Sequence, residues 1–336
     1  MSKLTLAGNH LEPKYKKLAQ VLMTQIEEGV YTLNEQIPSI KQLSKKYGMS
    51  RETVARALNL LSEQGIIKAV HRQGYFVQKT EVKVGLRIFF LMDKITEFKN
   101  RMYESFQETI GDQGEVHIFF HHHNYRIFKS LIKDNLKNYT HFVIVTYLKE
   151  DIRRILNKIP PEKRLILDHV EPDLEGDYAM VYQDFETDIY NCLKDAHTQL
   201  QKYKRLVLVS AHSRWGADKV IKGFTRFCND YNFSLELTDD ISEDNFQTES
   251  VYIFLSNSDK KMVDAIKLSR KLKYKIGKDV GIISYNDTYV NEVLAGGISV
   301  INTDFSTMGK TAAHLILNGE QSAVVNPSKL ILRKSI

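Results

Sequence analysis

The sequence predicts an α/β protein in two parts: a winged helix-turn-helix over residues 1–80 and a parallel-sheet α/β domain over residues 81–336. Three observations carry this. Three amphipathic helical patterns precede a short β-hairpin near the N-terminus. From Val84 onward apolar strands alternate with amphipathic helices, which calls for a parallel sheet covered by helices on both faces. The charge is also divided: residues 1–80 hold twelve Lys and Arg against six acids, which accounts for the whole net charge of +6.

The elements follow in order. Residues 13–28 place Leu18, Val21, Leu22 and Ile26 on one helical face, with Pro13 suited to a first turn and Gly29 to a stop. Residues 39–47 open on Ser39-Ile40-Lys41-Gln42, a capping-box pattern, and end at Gly48. Ser50 is a good N-cap for a third helix ending at Gly65, with Val54, Ala57, Leu58 and Leu61 at helical spacing. Residues 66–70 and 75–78 read as two strands joined by a His71-Arg72-Gln73-Gly74 turn. Then come VGLRIFFLM, EFKNRMYESFQETI, VHIFF, YRIFKSLIKDNL and HFVIVTY, alternately strand and helix. The alternation resumes with RLVLVS, a helix beginning near Arg214, VYIFL, DKKMVDAIKLSRKL and VGIISY.

Composition excludes several classes. The longest apolar runs are far too short to span a bilayer, and the N-terminus lacks a signal-peptide core. The two cysteines, Cys192 and Cys228, have no CxxC spacing, so neither a disulfide framework nor a zinc site is expected, and a cytoplasmic location follows. No GxSxG, Walker A or strand-linked GxGxxG motif is present, so no enzyme and no cofactor are expected. His121-His122-His123 follows an apolar strand. Adjacent strand residues point to opposite faces, so the three are not expected to close on one metal ion.

The basic first part calls for a polyanion, and its order of elements names which one. In a helix-turn-helix the second helix of the motif enters the major groove, its N-terminal residues at the base edges. Arg51 in the first turn, and Arg56 one turn later on the same side, are expected to read bases. Ser39, Ser50 and Thr53 near helix starts, with Lys41 and Lys45, are expected at phosphates. His71, Arg72 and Gly74 form the wing. The expected partner is double-stranded operator DNA.

Residues 12–78 resemble the GntR family of bacterial transcription regulators, through PKYKKLAQVLMTQIEEGVY, IPSIKQLSKKYGMSRETVARALNLLSEQGII and RQGYFV. The resemblance places Lys41 at the family's DNA-contacting arginine, Arg51 and Thr53 in its Ser-Arg-x-Thr run, and Gly74 at the wing glycine. The chain departs from the pattern at Ile40, usually Glu; at Leu33-Asn34, usually Pro-Gly; and at Ala55, often Arg.

Residues 82–336 resemble the LacI family's periplasmic-binding-protein fold, through DVGIISYNDT, ISVINTDFSTMGKTAAHLILNGE and PSKLILRKSI. That resemblance implies two lobes with a ligand cleft between them, and the pairing with a GntR reader is of the arabinose-repressor type. It implies a repressor of sugar-utilisation genes acting as a homodimer, with an arabinose- or fucose-like monosaccharide as effector. Sugar sites join an aromatic platform to carboxylate, amide and guanidinium partners. By resemblance Asp168, Asn257 and Asn286 line the cleft. Trp215, the only tryptophan, offers a platform beside Arg214, and Arg101 reaches in from the domain's first helix. Two rival readings stand: a second domain that only dimerises, and a fused enzyme.

Overall fold

The computed structural model describes residues 13–71, 73–80, 85–170, 173–209, 217–255 and 259–336. The chain divides into two compact units, Met1–Gly85 and Leu86–Ile336.

In the first unit α1 (Lys14–Glu27), α2 (Ile40–Tyr47) and α3 (Arg51–Glu63) enclose Leu18, Leu22, Leu43, Val54, Leu58 and Leu61, all fully buried. Helix α2 starts at the expected capping box: Ser39 accepts from the Gln42 amide, and the Gln42 side chain accepts from the Ser39 amide at 2.8 Å. Gly48 ends it in the left-handed region at φ 64°. Helix α3 is capped by Ser50, whose hydroxyl accepts from the Thr53 amide at 3.2 Å. The hairpin of β2 (Ile67–Val70) and β3 (Gly74–Val77) carries a third strand, β1 (Gln36–Ile37), in the order β1-β3-β2. Two residues are too few to show strand periodicity, so β1 is visible only through its pairing with Tyr75 and Phe76.

The second unit holds two six-stranded sheets. The first lobe contains β4 (Leu86–Met92), α4 (Glu97–Ile110), β5 (Gly114–Phe120), α5 (Tyr125–Asn135), β6 (His141–Val145), α6 (Arg153–Leu156), β7 (Arg164–Asp168) and β8 (Ala179–Tyr182). The second lobe contains α7 (Phe185–Asp195), α8 (His197–Leu200), β9 (Arg205–Val209), α9 (Ala217–Asp230), β10 (Ser234–Thr238), β11 (Ser250–Phe254), α10 (Asp259–Lys271), β12 (Val280–Tyr285), α11 (Tyr289–Val293) and β13 (Ser299–Thr303). The chain then returns to the first lobe with α12 (Phe305–Asn318) and β14 (Ala323–Val325), and closes on the second with β15 (Ser328–Ile331).

Strand order is β14-β8-β7-β6-β4-β5 in the first lobe, all parallel, and β10-β9-β11-β12-β13-β15 in the second, parallel except for β15. Both faces of each sheet are covered, which explains the unbroken apolar strands. In β4, Ile88, Phe90 and Met92 face α4 and α12, while Phe89 and Leu91 join Phe128 and Ile132 of α5 on the other side. The second sheet repeats this, with Leu206 and Ile253 against α7 and α9, and Val207 and Tyr252 against α10.

Candidate nucleic-acid interface and ligand cleft

In the reader, Ser39, Lys41, Lys45, Ser50, Arg51, Arg56 and His71 are exposed, and Thr53 and Gly74 are half-buried; Arg72 lies outside the described residues. The serine hydroxyls are engaged in capping, so the groups they leave for a phosphate are the amides of the first turns. Gly74 has φ 111°, and a Cβ there would stand 3.0 Å from the Gln36 side-chain nitrogen, so the turn between β2 and β3 needs glycine. Tyr75 on β3 donates to Asn59 of α3 at 3.4 Å, which ties the wing to the third helix.

One expectation is corrected. Arg56 does not share a side with Arg51: five residues at about 100° each carry it roughly 140° around the helix. Arg56 instead bonds Glu52 at 3.0 Å, on the face opposite the buried Val54, Ala57, Leu58 and Leu61.

The cleft follows from topology. The chain crosses between lobes at residues 183–184, at 304 and at 326–327, so the carboxyl ends of both sets of parallel strands face the crossings. That edge is where open α/β sheets bind ligands. Asp168 ends β7 and Asn286 follows β12; both are buried, with φ 76° and 68°. The Gln183 amide donates to Asp168, and Thr303 of β13 donates to the Gln183 carbonyl at 2.7 Å. Thr303 also meets Ser328 at 2.9 Å, and the Ser328 amide donates to Asp188 at 3.0 Å. Asp168 is thus wired to the crossing segments. Asn286 is anchored by its backbone N–H, which donates to the Ile301 carbonyl at 2.8 Å.

Arg101 on α4 meets a residue of the second lobe. Its guanidinium pairs with Glu97 at 2.5 Å and lies 4.6 Å from the ring centre of Tyr289 on α11. Arg214, Trp215 and Asn257 lie outside the described residues.

Sequence reasoning missed a polar cluster at the carboxyl edge of the first sheet. Asp93 after β4 and Lys99 on α4 form a buried ion pair, exposed by only 3% and 6% at their side chains. His123 stands 3.4 Å from the second Asp93 oxygen. The Lys99 ammonium sits 4.8 Å over the Tyr147 ring, which stacks on His169 at 5.5 Å. Burial lowers the pKa of His169. No motif marks these residues because they come from four different strand ends; a buried Lys in an α/β chain has no local signature. His121 is fully buried, donates to the Val145 carbonyl at 3.2 Å, and is pulled down to about 4 by burial. The three histidines form a turn rather than a strand, with φ 49° and 55° at His122 and His123. Among the described residues no group of three or more His, Cys, Asp or Glu is placed to hold a metal. No helix among them is long and apolar enough to cross a membrane.

Comparison with known proteins places both parts. The gntR family of bacterial regulatory proteins matches residues 14–77, and the periplasmic binding protein-like domain matches residues 196–336. The HTH-type transcriptional regulator TreR of Bacillus subtilis is 40% identical over 107 residues, 31% of this chain and 39% of that protein. The chain spans 15–41% of the length of the curated relatives it matches. The Lac repressor bound to ONPG superposes with a TM-score of 0.63 at 14% identity, over 85% of this chain and 90% of that one. A periplasmic binding protein/LacI regulator of Alkaliphilus metalliredigens, complexed with D-xylulofuranose, superposes with a TM-score of 0.59 at 12% identity, over 75% of this chain and 99% of that one. This chain therefore joins a gntR-type helix-turn-helix reader to a periplasmic-binding-protein-like domain, and the proteins it resembles are GntR- and LacI-type transcriptional regulators.

Proposed function

We infer that the chain is a sequence-specific DNA-binding transcriptional regulator, a repressor of sugar-related genes that leaves its operator when a monosaccharide fills the cleft. The observation that carries this is the pairing, in one chain, of a capped helix-turn-helix with two parallel sheets whose carboxyl ends both lie at the crossings between the lobes. A relative that matches about a third of the chain and a structural neighbour that matches three quarters of it are each named as regulators, the second in complex with a furanose sugar.

In this reading Tyr147 and His169 offer an apolar ring wall to the sugar, and Asp168, Asn286 and Arg101 bond its hydroxyls. Nothing in the reading requires an enzyme or a cofactor. A single module reads only a half-site, so a homodimer on a pseudo-palindrome is part of the proposal. The exposed Val290 and Val293 of α11 give two copies an apolar face to bury.

A ligand governs DNA binding only if it prefers one lobe arrangement, and the coupling then runs both ways. The test takes duplexes selected from a random library and neutral monosaccharides, L-arabinose and L-fucose first. Thermal shifts identify binders, because a ligand specific to the folded state raises stability. Saturating operator should then weaken sugar affinity by the same factor as sugar weakens operator affinity. A sugar that binds with the same Kd in both conditions would sink the regulatory reading and leave a dimerisation module.

A further inference from the structure

Helix α3 carries a carboxylate where a DNA reader has most reason to avoid one. Glu52 lies in the first turn, 77% exposed at its side chain, directly opposite the buried face of the helix. The helix-turn-helix also exposes the cations Lys41, Lys45, Lys46, Arg51 and Arg56, of which Arg56 bonds Glu52. An acidic group on this surface repels phosphates and weakens binding to every sequence alike. Its role in stability is small, since an exposed i,i+4 ion pair contributes little to a folded chain. What it does have is a cationic neighbour on the exposed stripe: the Arg56 guanidinium bonds it at 3.0 Å, and Asn59, next along the same stripe, accepts from Tyr75 at 3.4 Å.

The major groove offers few partners to a carboxylate. Guanine presents O6 and N7 and thymine presents O4, all acceptors that repel it. Adenine presents its N6 amino group beside the N7 acceptor, which faces the second carboxylate oxygen. Cytosine presents the N4 amino donor with no acceptor of its own beside it. We propose that Glu52 is a specificity-determining residue that accepts a hydrogen bond from cytosine N4, with Arg56 as its positioning residue. Arg56 orients the carboxylate and offsets its charge against the flanking phosphates. The inference rests on the DNA-reading half of the proposed function.

The experiment uses the full chain and a duplex library with a randomised window, selected and sequenced at fixed salt. Wild type should enrich sites with one cytosine position per half-site that depends on Glu52. Glu52→Gln should move that position to adenine, because an amide bonds N6 and N7 together. Glu52→Ala should flatten it, with a loss of discrimination of roughly tenfold. Glu52→Ala should also bind scrambled duplex at least as tightly as wild type. Arg56→Ala should blur the same position. Equal thermal melts of the variants show that the exposed substitutions leave the fold intact. Identical base preferences for wild type and Glu52→Gln would overturn the proposal. So would equal losses for Glu52→Ala on selected and scrambled DNA. A library from which wild type enriches no sequence would overturn the DNA-reading function itself, and the role of Glu52 with it.

Discussion

Single residues in the second unit are governed by burial more than by partners. Asp188 is buried, accepts one amide from Ser328 at 3.0 Å, and has no partner for its other oxygen among the described residues. Burial pushes its carboxyl up to about 6; the Ser328 bonds oppose this and the charge of Asp184 adds to it. Because the folded value lies above the ordinary one, the folded chain binds more protons than the unfolded chain between about pH 4 and 6. The contribution of Asp188 to stability therefore falls as pH rises through that window. Asp188→Asn keeps the acceptor for Ser328 and cannot ionise. It should raise stability above pH 6 by up to about 3 kcal/mol and change it little at pH 4. Denaturant titrations at each pH check this; a constant difference would refute it. Buried His121, down to about 4, contributes the opposite slope, so the comparison with wild type is needed to isolate Asp188. Lys99→Met should cost about 3–5 kcal/mol, because it leaves the buried Asp93 carboxylate without its ammonium partner, with only His123 beside its other oxygen. Thermal melts measure this loss directly.

Elements meet most closely where glycine permits it. Helix α12 returns to the first lobe and lies against α4, where a Cβ on Gly309 would strike the Met102 carbonyl and the Ser105 hydroxyl. Ser105 already donates to the Ser306 carbonyl at 2.9 Å, so it has little room to give. Gly309→Ala should force the helices apart and cost roughly 1–3 kcal/mol, even though alanine is the better helix former. A urea titration that shows greater stability for Gly309→Ala would mean that the two helices can slide. In the reader the same scale concerns the start of α3: Ser50→Ala removes the cap on the Thr53 amide and should cost about 1 kcal/mol.

Over the whole second unit, three crossings join the lobes, and one hydrogen-bonded chain runs beside them. Ser328, Thr303, Gln183 and Asp168 connect β15, β13, the first crossing and β7 in turn. A ligand that draws Asp168 away from Gln183 alters a bond shared with both lobes. Gln183→Leu should leave Asp168 and Thr303 without that partner and lower stability by about 1–3 kcal/mol. It should also blunt the effect of a bound sugar on operator affinity while sparing sugar-free DNA binding. Operator titrations with and without L-arabinose, or whichever monosaccharide raises the melting temperature, decide this. An undiminished response would remove Gln183 from the coupling route.

What the sequence alone determined is whatever contiguous residues encode: the two caps at Ser39 and Ser50, the helices they start, the wing glycine, and the strand–helix alternation with its buried runs. Those signals are local because helical periodicity and capping involve neighbours within four residues. The mutual placement of Arg51 and Arg56 is local too, and the helical turn angle, not the spacing along the chain, decides it. Only the tertiary structure decided the rest. Nothing in the local pattern says that α12 and β14 return to the first lobe, or that β1 joins the wing. Nor does any motif join Asp93, Lys99, His123, Tyr147 and Asp168. They share one edge because parallel strands deliver all their carboxyl ends to the same side, and the strand order then sets which ends are neighbours.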